Sequence, residues 1–502
     1  MDIFSNISLG LATALSVNNL FYCFLGVFLG TLTGVIPGIG VLSAITMLFP
    51  ITFYLDPTAA LIMLAGIWYG TGYGGRTASI LLNIPGTPAN SITCLDGYPM
   101  AQQGRAGVAL FMTTIASFVG GCIGIVVLML FTPIIANYAL RFSSPEYFAL
   151  MLLGLVAASA VSEGPAIKAM AMVVLGLMLG TVGMDIYTGV PRFSFDFIQL
   201  LDPISMIALA MGIFGVAEII ATVRRSNQGE VVEHDVSWSA MKPTRSDVRR
   251  SWMPLVRGST IGSFFGTLPG TGPAVASFMA YSVEKRIARE PERFGKGAIE
   301  GVMAPECADN AAEQTSFIPT LGLGIPGSPT MALMLGALMI HGITPGPSLI
   351  SDQPQLFWGL IMSFWIGNVM LLVLNIPLIG VWVRLLTIPY HLLYPAVLVF
   401  ICIGTYSVSN SSFDVWLVVG FGLLGTLMRT FNWPAAPVLL GFVLGPMMEE
   451  HFRRAMQASR GDLMIFVERP ISATVIAITF VLLFWGLAMA FRQHRATRRV
   501  IA

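Results

Sequence analysis

The sequence predicts an all-α integral membrane protein: about ten transmembrane helices plus re-entrant helical hairpins, set out as two inverted repeats. Three observations lead there. Hydrophobic residues make up 55% of the 502 and charged residues only 11%, where a soluble protein carries about 25% charged residues; mean hydropathy is +0.78. Apolar runs of the roughly 20-residue length that a bilayer core demands recur from end to end. A Gly/Pro pattern then appears twice in the same order.

Taken in chain order, the N-terminal stretch MDIFSNISLGLATALSVNNL holds no Lys or Arg. It lacks the basic region of a secretory signal, so the first apolar stretch is expected to be retained. Residues 20–55 are predicted to form a hairpin with PGIG at its tip. Spans follow at 57–73, 107–135, 145–162, 166–183 and 204–222. The polar stretch 224–252, with Arg224, Arg225, Lys242, Arg245, Arg249 and Arg250, and the terminal RQHRATRR are cytoplasmic by the positive-inside rule. No basic residue precedes Arg76, so the N-terminus faces outward. Arg105 and Lys168 then fall inside, Arg141 and Arg192 outside. The segment EEHFRRAMQASRGD (449–462) breaks the rule: it should lie outside yet carries Arg453, Arg454 and Arg460. Residues 253–284 have basic residues at both ends, so they should enter and return as a hairpin with PGTGP at the tip; a kinked spanning helix is the alternative. The organisation is then a first membrane repeat over 1–223, a linker loop over 224–252, a second repeat over 253–455, and a C-terminal segment over 456–502 with a polar stretch, a last helix and a basic tail.

The duplication rests on residues. GVFLGTLTGVIPGIG (26–40) and GSTIGSFFGTLPGTG (258–272) align Gly26, Gly30, Gly34, Pro37, Gly38 and Gly40 with Gly258, Gly262, Gly266, Pro269, Gly270 and Gly272 at one constant offset. NIPGTP (83–88) matches GIPGSP (324–329). Weaker pairs are LGT at 179–181 and 424–426, and Pro203 and Glu218 against Pro434 and Glu449. One copy starts outside and the other at a cytoplasmic loop, which inverts them. Inverted repeats with broken helices are a recurring plan of secondary transporters.

A helix cannot pass through Pro-Gly unperturbed, and broken backbone survives at membrane depth only when buried in protein or lining a cavity. The substrate-binding candidates are therefore Pro37, Gly38 and Gly40 at the first tip and Pro269, Gly270, Thr271 and Gly272 at the second. Asn83, Gly86, Thr87, Asn90 and Ser91 join them at the first break, and Gly327, Ser328 and Thr330 at the second. Helix N-termini at such breaks suit carboxylates, and freed carbonyls suit Na⁺. Ser and Thr side chains that only bond their own helix are the plainer reading. Gly26, Gly30, Gly258 and Gly262 read as scaffold, since small residues four apart let helices pack closely. The polar stretch GAIEGVMAPECADNAAEQTS (297–316) carries intramembrane acids, which are functional candidates. Glu306 and Asn310 are taken as ion-coupling residues, and Glu300, Asp309 and Glu313 as acids answering the basic run 285–296.

These segments, GVIPGIG, NIPGTPAN, TLPGTGPAVAS, GAIEGVMAPECADNAA and GLGIPGSPTMALMLGALMIHGITPGP, resemble the signature segments of the large membrane subunit of tripartite tricarboxylate transporters, the TctA family, in the family's order and over nearly the whole chain. The resemblance implies a multi-pass subunit of the bacterial inner membrane that works with a small membrane subunit and a periplasmic substrate-binding protein. It implies import of tricarboxylates or related small organic anions by symport with Na⁺ or H⁺. The chain departs from the family at Asp309-Asn310, where Asn-Asn is expected.

No cofactor is expected beyond Na⁺ as a candidate coupling ion at the hairpin tips, and no metal site is firmly assigned. An anion channel or facilitator is the alternative. An enzyme is not expected: the glycines lack the Lys-Ser/Thr of a phosphate-binding loop, no HExxH occurs, and His341 stands alone. The five cysteines, Cys23, Cys94, Cys122, Cys307 and Cys402, lie in or beside apolar stretches without metal-ligand spacing and read as small core residues. The net charge of +1 suggests no nucleic-acid partner.

Overall fold

The computed structural model describes residues 3–36, 39–161, 165–185, 187–224, 235–268, 271–386 and 390–484. Pro37, Gly38, Pro269, Gly270, much of the linker loop and the basic C-terminal tail lie outside them. The chain is almost wholly helical. Helix α1 (Ile3–Ala14) leads into α2 (Val17–Val35), α3 (Val41–Leu48), α4 (Pro57–Leu82), α5 (Thr93–Met100), α6 (Ala106–Ala139), α7 (Ser144–Val161) and α8 (Ala166–Gly180). A two-residue ribbon, β1 (Gly183–Met184) against β2 (Pro191–Arg192), precedes α9 (Met206–Ala210), which continues through a π-helical turn into α10 (Ala217–Arg224). Beyond the linker come α11 (Arg245–Gly266), α12 (Gly272–Ile287), α13 (Glu300–Thr315), α14 (Phe317–Leu323), α15 (Pro329–Ile340), the short α16 (Leu349–Asp352) and α17 (Pro354–Asn375). The chain closes with α18 (Ile379–Leu385), α19 (Tyr390–Ser409), α20 (Ser412–Thr430), α21 (Ala436–Ala458), the short α22 (Ile465–Glu468) and α23 (Pro470–Phe484).

The five spans expected in the first half coincide with α4, α6, α7, α8 and the α9–α10 run. Among the described residues, the helical segments Val17–Val35, Thr93–Ala139, Pro354–Asn375 and Ser412–Thr430 are long and apolar enough to cross a bilayer, and shorter apolar helices accompany them. Large apolar side chains such as Phe21, Phe24, Leu130, Val373 and Trp416 point outward, as a lipid-facing surface requires. The chain is a membrane protein. Helix α11 begins at Arg245, inside the expected loop, because Thr244 and Asp247 form a capping box there.

Two helices are buried on every side. Residues 59–81 of α4 and 301–315 of α13 are all buried, so these two helices form the interior against which the others pack. Glycine and alanine make this possible. A Cβ on Gly26, Gly30 or Gly34 of α2 would strike the carbonyl of Met63, Ile67 or Thr71 in α4. Gly258, Gly262 and Gly266 of α11 sit the same way on the carbonyls of Ala304, Ala308 and Ala312 in α13. Backbone meets backbone along both seams. Further pairings run between the halves: α4 with α17 and α6 with α13, α8 with α21 and α20 with the π-helical turn after α9, α3 with α15 and α12 with the turn Ala89–Ser91.

The two conserved-order breaks also open alike. Helix α4 ends on Asn83 in the left-handed conformation (φ 56°), and α14 ends on Gly324 at φ 72°. These are the first residues of NIPGTP and GIPGSP. In the segment 449–462 two of the three arginines are ion-paired: Arg453 contacts Asp185 (2.9 Å) and Glu449 (2.7 Å), Arg454 contacts Glu450 (2.5 Å), and Glu449 also holds Arg192 (2.9 Å). All five cysteines are free; Cys23, Cys94 and Cys307 are buried, but Cys402 is exposed and is not a core residue.

Candidate functional site

The first break delivers polar side chains to the buried face of α13. The Thr87 hydroxyl donates to Asn90 Oδ1 (2.8 Å) and accepts from the Asn90 N–H (3.2 Å), which fixes the turn after Pro88. Asn90 Nδ2 then donates to Glu306 Oε1 (3.4 Å), and the Thr93 hydroxyl donates to the same oxygen (2.5 Å). Glu306 Oε2 accepts from Ser117 of α6 (3.3 Å) and lies 3.8 Å from Nη1 of Arg76. Arg76 is only 1% exposed. Its guanidinium donates to the Thr113 carbonyl (3.0 Å), Thr114 Oγ1 (3.3 Å) and the Ser117 hydroxyl, and stands 4.0 Å from the Tyr73 ring centroid. A substrate candidate, Asn90, and an ion-coupling candidate, Glu306, thus belong to one network that joins the two halves.

Gly75 lies where the break passes over α4. A Cβ there would meet Asn90 Oδ1 at 2.5 Å, and Gly86 sits against Gly75 and the Gly34 carbonyl. The second break lies on its own hairpin in the same way: Gly327 faces the carbonyls of Gly266 and Leu268 (3.8 Å from an added Cβ). Helices α12 and α15 begin side by side, with a Cβ on Gly272 falling 3.8 Å from Ser328 Cβ. Gly272 has φ 64°, a conformation that glycine adopts without a steric penalty. Ser328 caps α15 by accepting from the Met331 N–H (3.2 Å). Two helix N-termini therefore converge, and their free N–H groups and dipoles favour an anion.

Other candidates have more local duties. Asn83 is exposed at its helix end. The Ser91 hydroxyl donates to the Pro88 carbonyl (2.6 Å), and the Thr271 hydroxyl donates to the Leu268 (3.0 Å) and Phe265 carbonyls. Asn310 donates to the Glu306 carbonyl one turn back (3.0 Å). Thr330 is buried at the start of α15, and Gly40 caps α3 in open space.

One sequence expectation is corrected. Glu300 does pair with basic residues, Arg250 and Arg293 at 3.3 Å each. Asp309 and Glu313 do not answer the basic run. They are each 2% exposed and turn inward with Glu306 because α4, α6, α11 and α12 wrap α13. The sequence reading also passed over Arg76, Thr93 and Ser117. A signal for Arg76 was present: a lone arginine inside an apolar span is a functional candidate.

A family model described as "Tripartite tricarboxylate transporter TctA family" matches residues 20–440, a span that takes in helices α2 to α20, the two breaks and the Arg76–Glu306 network. The chain is 50% identical over 497 residues to an "Uncharacterized 52.8 kDa protein in TAR-I ttuC' 3'region" of Agrobacterium vitis, covering 99% of this chain and 98% of that one. It is 53% identical over 234 residues to an "Uncharacterized protein in TAR-II ttuC' 3'region" of the same organism, covering 47% of this chain and 97% of the relative. No solved structure matches. With the match running through the whole helical core, the chain belongs to the tripartite tricarboxylate transporter TctA family, a family of transporters and not of enzymes.

Proposed function

We propose that this chain is the large transmembrane subunit of a binding-protein-dependent secondary transporter in the bacterial inner membrane, which imports tricarboxylates or related small organic anions by symport with Na⁺ or H⁺. Its partners are a small membrane subunit and a periplasmic substrate-binding protein. The observation that carries the reading is the convergence of the α12 and α15 N-termini at Gly272 and Ser328, beside a break system linked to a buried ion pair. Such N-termini receive carboxylates without a dedicated lysine or arginine. The substrate contacts the PGIG and PGTG tips and the polar groups of the two breaks, and Na⁺, where it is the coupling ion, uses carbonyls freed at the tips.

The two halves act as inverted repeats. Supporting this, α2 lies on α4 as α11 lies on α13, both breaks begin on a left-handed residue, and contacts between halves come in reciprocal pairs. The test uses proteoliposomes that hold both membrane subunits, with the binding protein added outside and citrate as the probe. Uptake should follow an imposed Na⁺ or proton gradient, and internal citrate should accelerate exchange. Uptake without exchange stimulation would identify a channel and overturn the carrier reading.

A further inference from the structure

The buried face of α13 carries more negative charge than its surroundings answer. Glu306, Asp309 and Glu313 lie on one helix face at spacings of three and four and are 1–2% exposed. The basic group that faces them is Arg76, and it sits nearest Glu306. Asp309 Oδ1 and Glu313 Oε2 have no hydrogen-bond partner among the described residues. Helix α4 supplies the other wall of this place. Glu313 lies against Gly72 of α4, where an added Cβ would be 3.1 Å from Oε1. One turn earlier on that face Tyr69 brings a phenol into electrostatic reach of Glu313. Its buried hydroxyl lies beside Gln314, and neither that hydroxyl nor Gln314 Oε1 makes a hydrogen bond of normal geometry among the described residues.

The remaining titratable groups around α13 are already committed. On α12 and α11, Glu284 pairs with Arg257, and Tyr281 donates to Asp96 of α5 (3.0 Å). Cys307 is turned to Ser259 of α11, Cys94 to the Asn90 carbonyl, and Cys122 of α6 accepts from Asn368 of α17. Tyr73 donates to Asn368 Oδ1 (2.9 Å). Helix α17 carries no titratable side chain.

An uncompensated carboxylate buried in this way is far costlier than its neutral form. We infer that the Asp309–Glu313 pair is a proton-binding site that holds one exchangeable proton. Proton loss would leave Arg76 facing three anionic acids instead of two. That draws it away from Glu306, which anchors Asn90 and Thr93 of the first break, so the charge of the pair is felt at the break. The coupling role rests on the symport reading above; the proton site itself does not.

The site is tested on the purified full-length chain in nanodiscs, by infrared difference spectroscopy while pH is stepped from mildly acidic to alkaline. A protonated-carboxyl C=O stretch should appear at the acidic end, shift in D₂O, and titrate away. Asp309→Asn and Glu313→Gln, which keep shape, should each abolish or displace it, and Glu300→Gln should leave it untouched. Absence of a titrating carboxyl band, or a band unchanged in both variants, overturns the proton site. In proteoliposomes with both partner subunits and citrate as the probe, Glu313→Gln should lose the stimulation of uptake by an acid gradient that wild type shows. If the variant keeps that stimulation, the coupling role is overturned. If wild type responds to no gradient while the band still titrates and responds to both variants, the proton site stands and the symport reading fails.

Discussion

Removing the Asp96 carboxylate should loosen the joint between the first break and the second hairpin. Asp96 sits on α5 and is 0% exposed. Its Oδ1 accepts the N–H groups of Gly295 (2.8 Å), Gly297 (2.9 Å) and Ala298 (2.8 Å), and Oδ2 accepts from the Tyr281 hydroxyl (3.0 Å). Gly295 and Gly297 have φ of 84° and 96°, so successive N–H groups turn inward as an anion nest that the protein fills with its own side chain. In Asp96→Ala the Ala298 N–H is buried and stays orphaned, which costs about 1–3 kcal/mol. The N–H groups of Gly295 and Gly297 reach water, and losing those two bonds costs about 0.5–1.5 kcal/mol each. The orphaned Tyr281 hydroxyl, also buried, adds about 1–3 kcal/mol, for a total of roughly 3–9 kcal/mol. Asp96→Asn keeps an acceptor and forfeits only the charge, for about 1–2 kcal/mol. Equilibrium denaturation of the purified chain in mixed micelles, followed by fluorescence, should rank wild type above Asp96→Asn and Asp96→Asn above Asp96→Ala. Equal stability of Asp96→Ala and wild type, or equal loss in both variants, would refute the nest account.

Gly272→Ala should impair citrate uptake in the complete three-component system while leaving the protein in the membrane, because a Cβ at φ 64° costs about 1–2 kcal/mol and intrudes between the α12 and α15 N-termini; normal uptake would remove Gly272 from the site. The Asp185 carboxyl is held down to about 2 by the Tyr187 N–H and by Arg453. Because its value is depressed, its contribution is complete above the unfolded value and is lost only as pH falls through about 2. Protease sensitivity of the 187–202 loop should therefore stay flat from neutral to mildly acidic pH, and Arg453→Gln should raise it at every pH.

Much of the helical layout was legible because apolar length and Gly/Pro punctuation are local properties. The spans near 107–135 and 166–183 fall on α6 and α8, and the glycine ladders announced the α2–α4 and α11–α13 seams. The site was legible only in part. Asn90 and Glu306 could be named from a break and an intramembrane acid, but nothing local says that they touch across a sequence separation of 216. Helix α13 misled for a physical reason. Its sequence is polar enough to suit a surface, and the basic run before it offers ready partners. Only the packing of α4, α6, α11 and α12 turns Asp309 and Glu313 inward. Asp96 lay in an unremarked Leu-Asp-Gly-Tyr stretch, and its nest is made by backbone N–H groups, which leave no mark on side-chain patterns.

The same packing bears on where the molecule can move. Along the α2–α4 and α11–α13 seams, added Cβ atoms would strike backbone carbonyls; packing that close has little slack, and interiors of this density are two-state rather than continuously deformable. Each seam then forms one stiff unit together with the break packed on it. Polar links join the units: Asn90 and Thr93 to Glu306, Arg76 to Glu306, and Asp96 to the loop before α13. A transporter that opens to either side must exchange contacts somewhere, and hydrogen bonds that can be traded for water or ligand cost less to exchange than a backbone seam costs to part. The links cluster beside the breaks and the buried acids. In the symport reading, ligand and proton act where the two units are joined by exchangeable bonds, and Arg76, which contacts Glu306, stands at that joint.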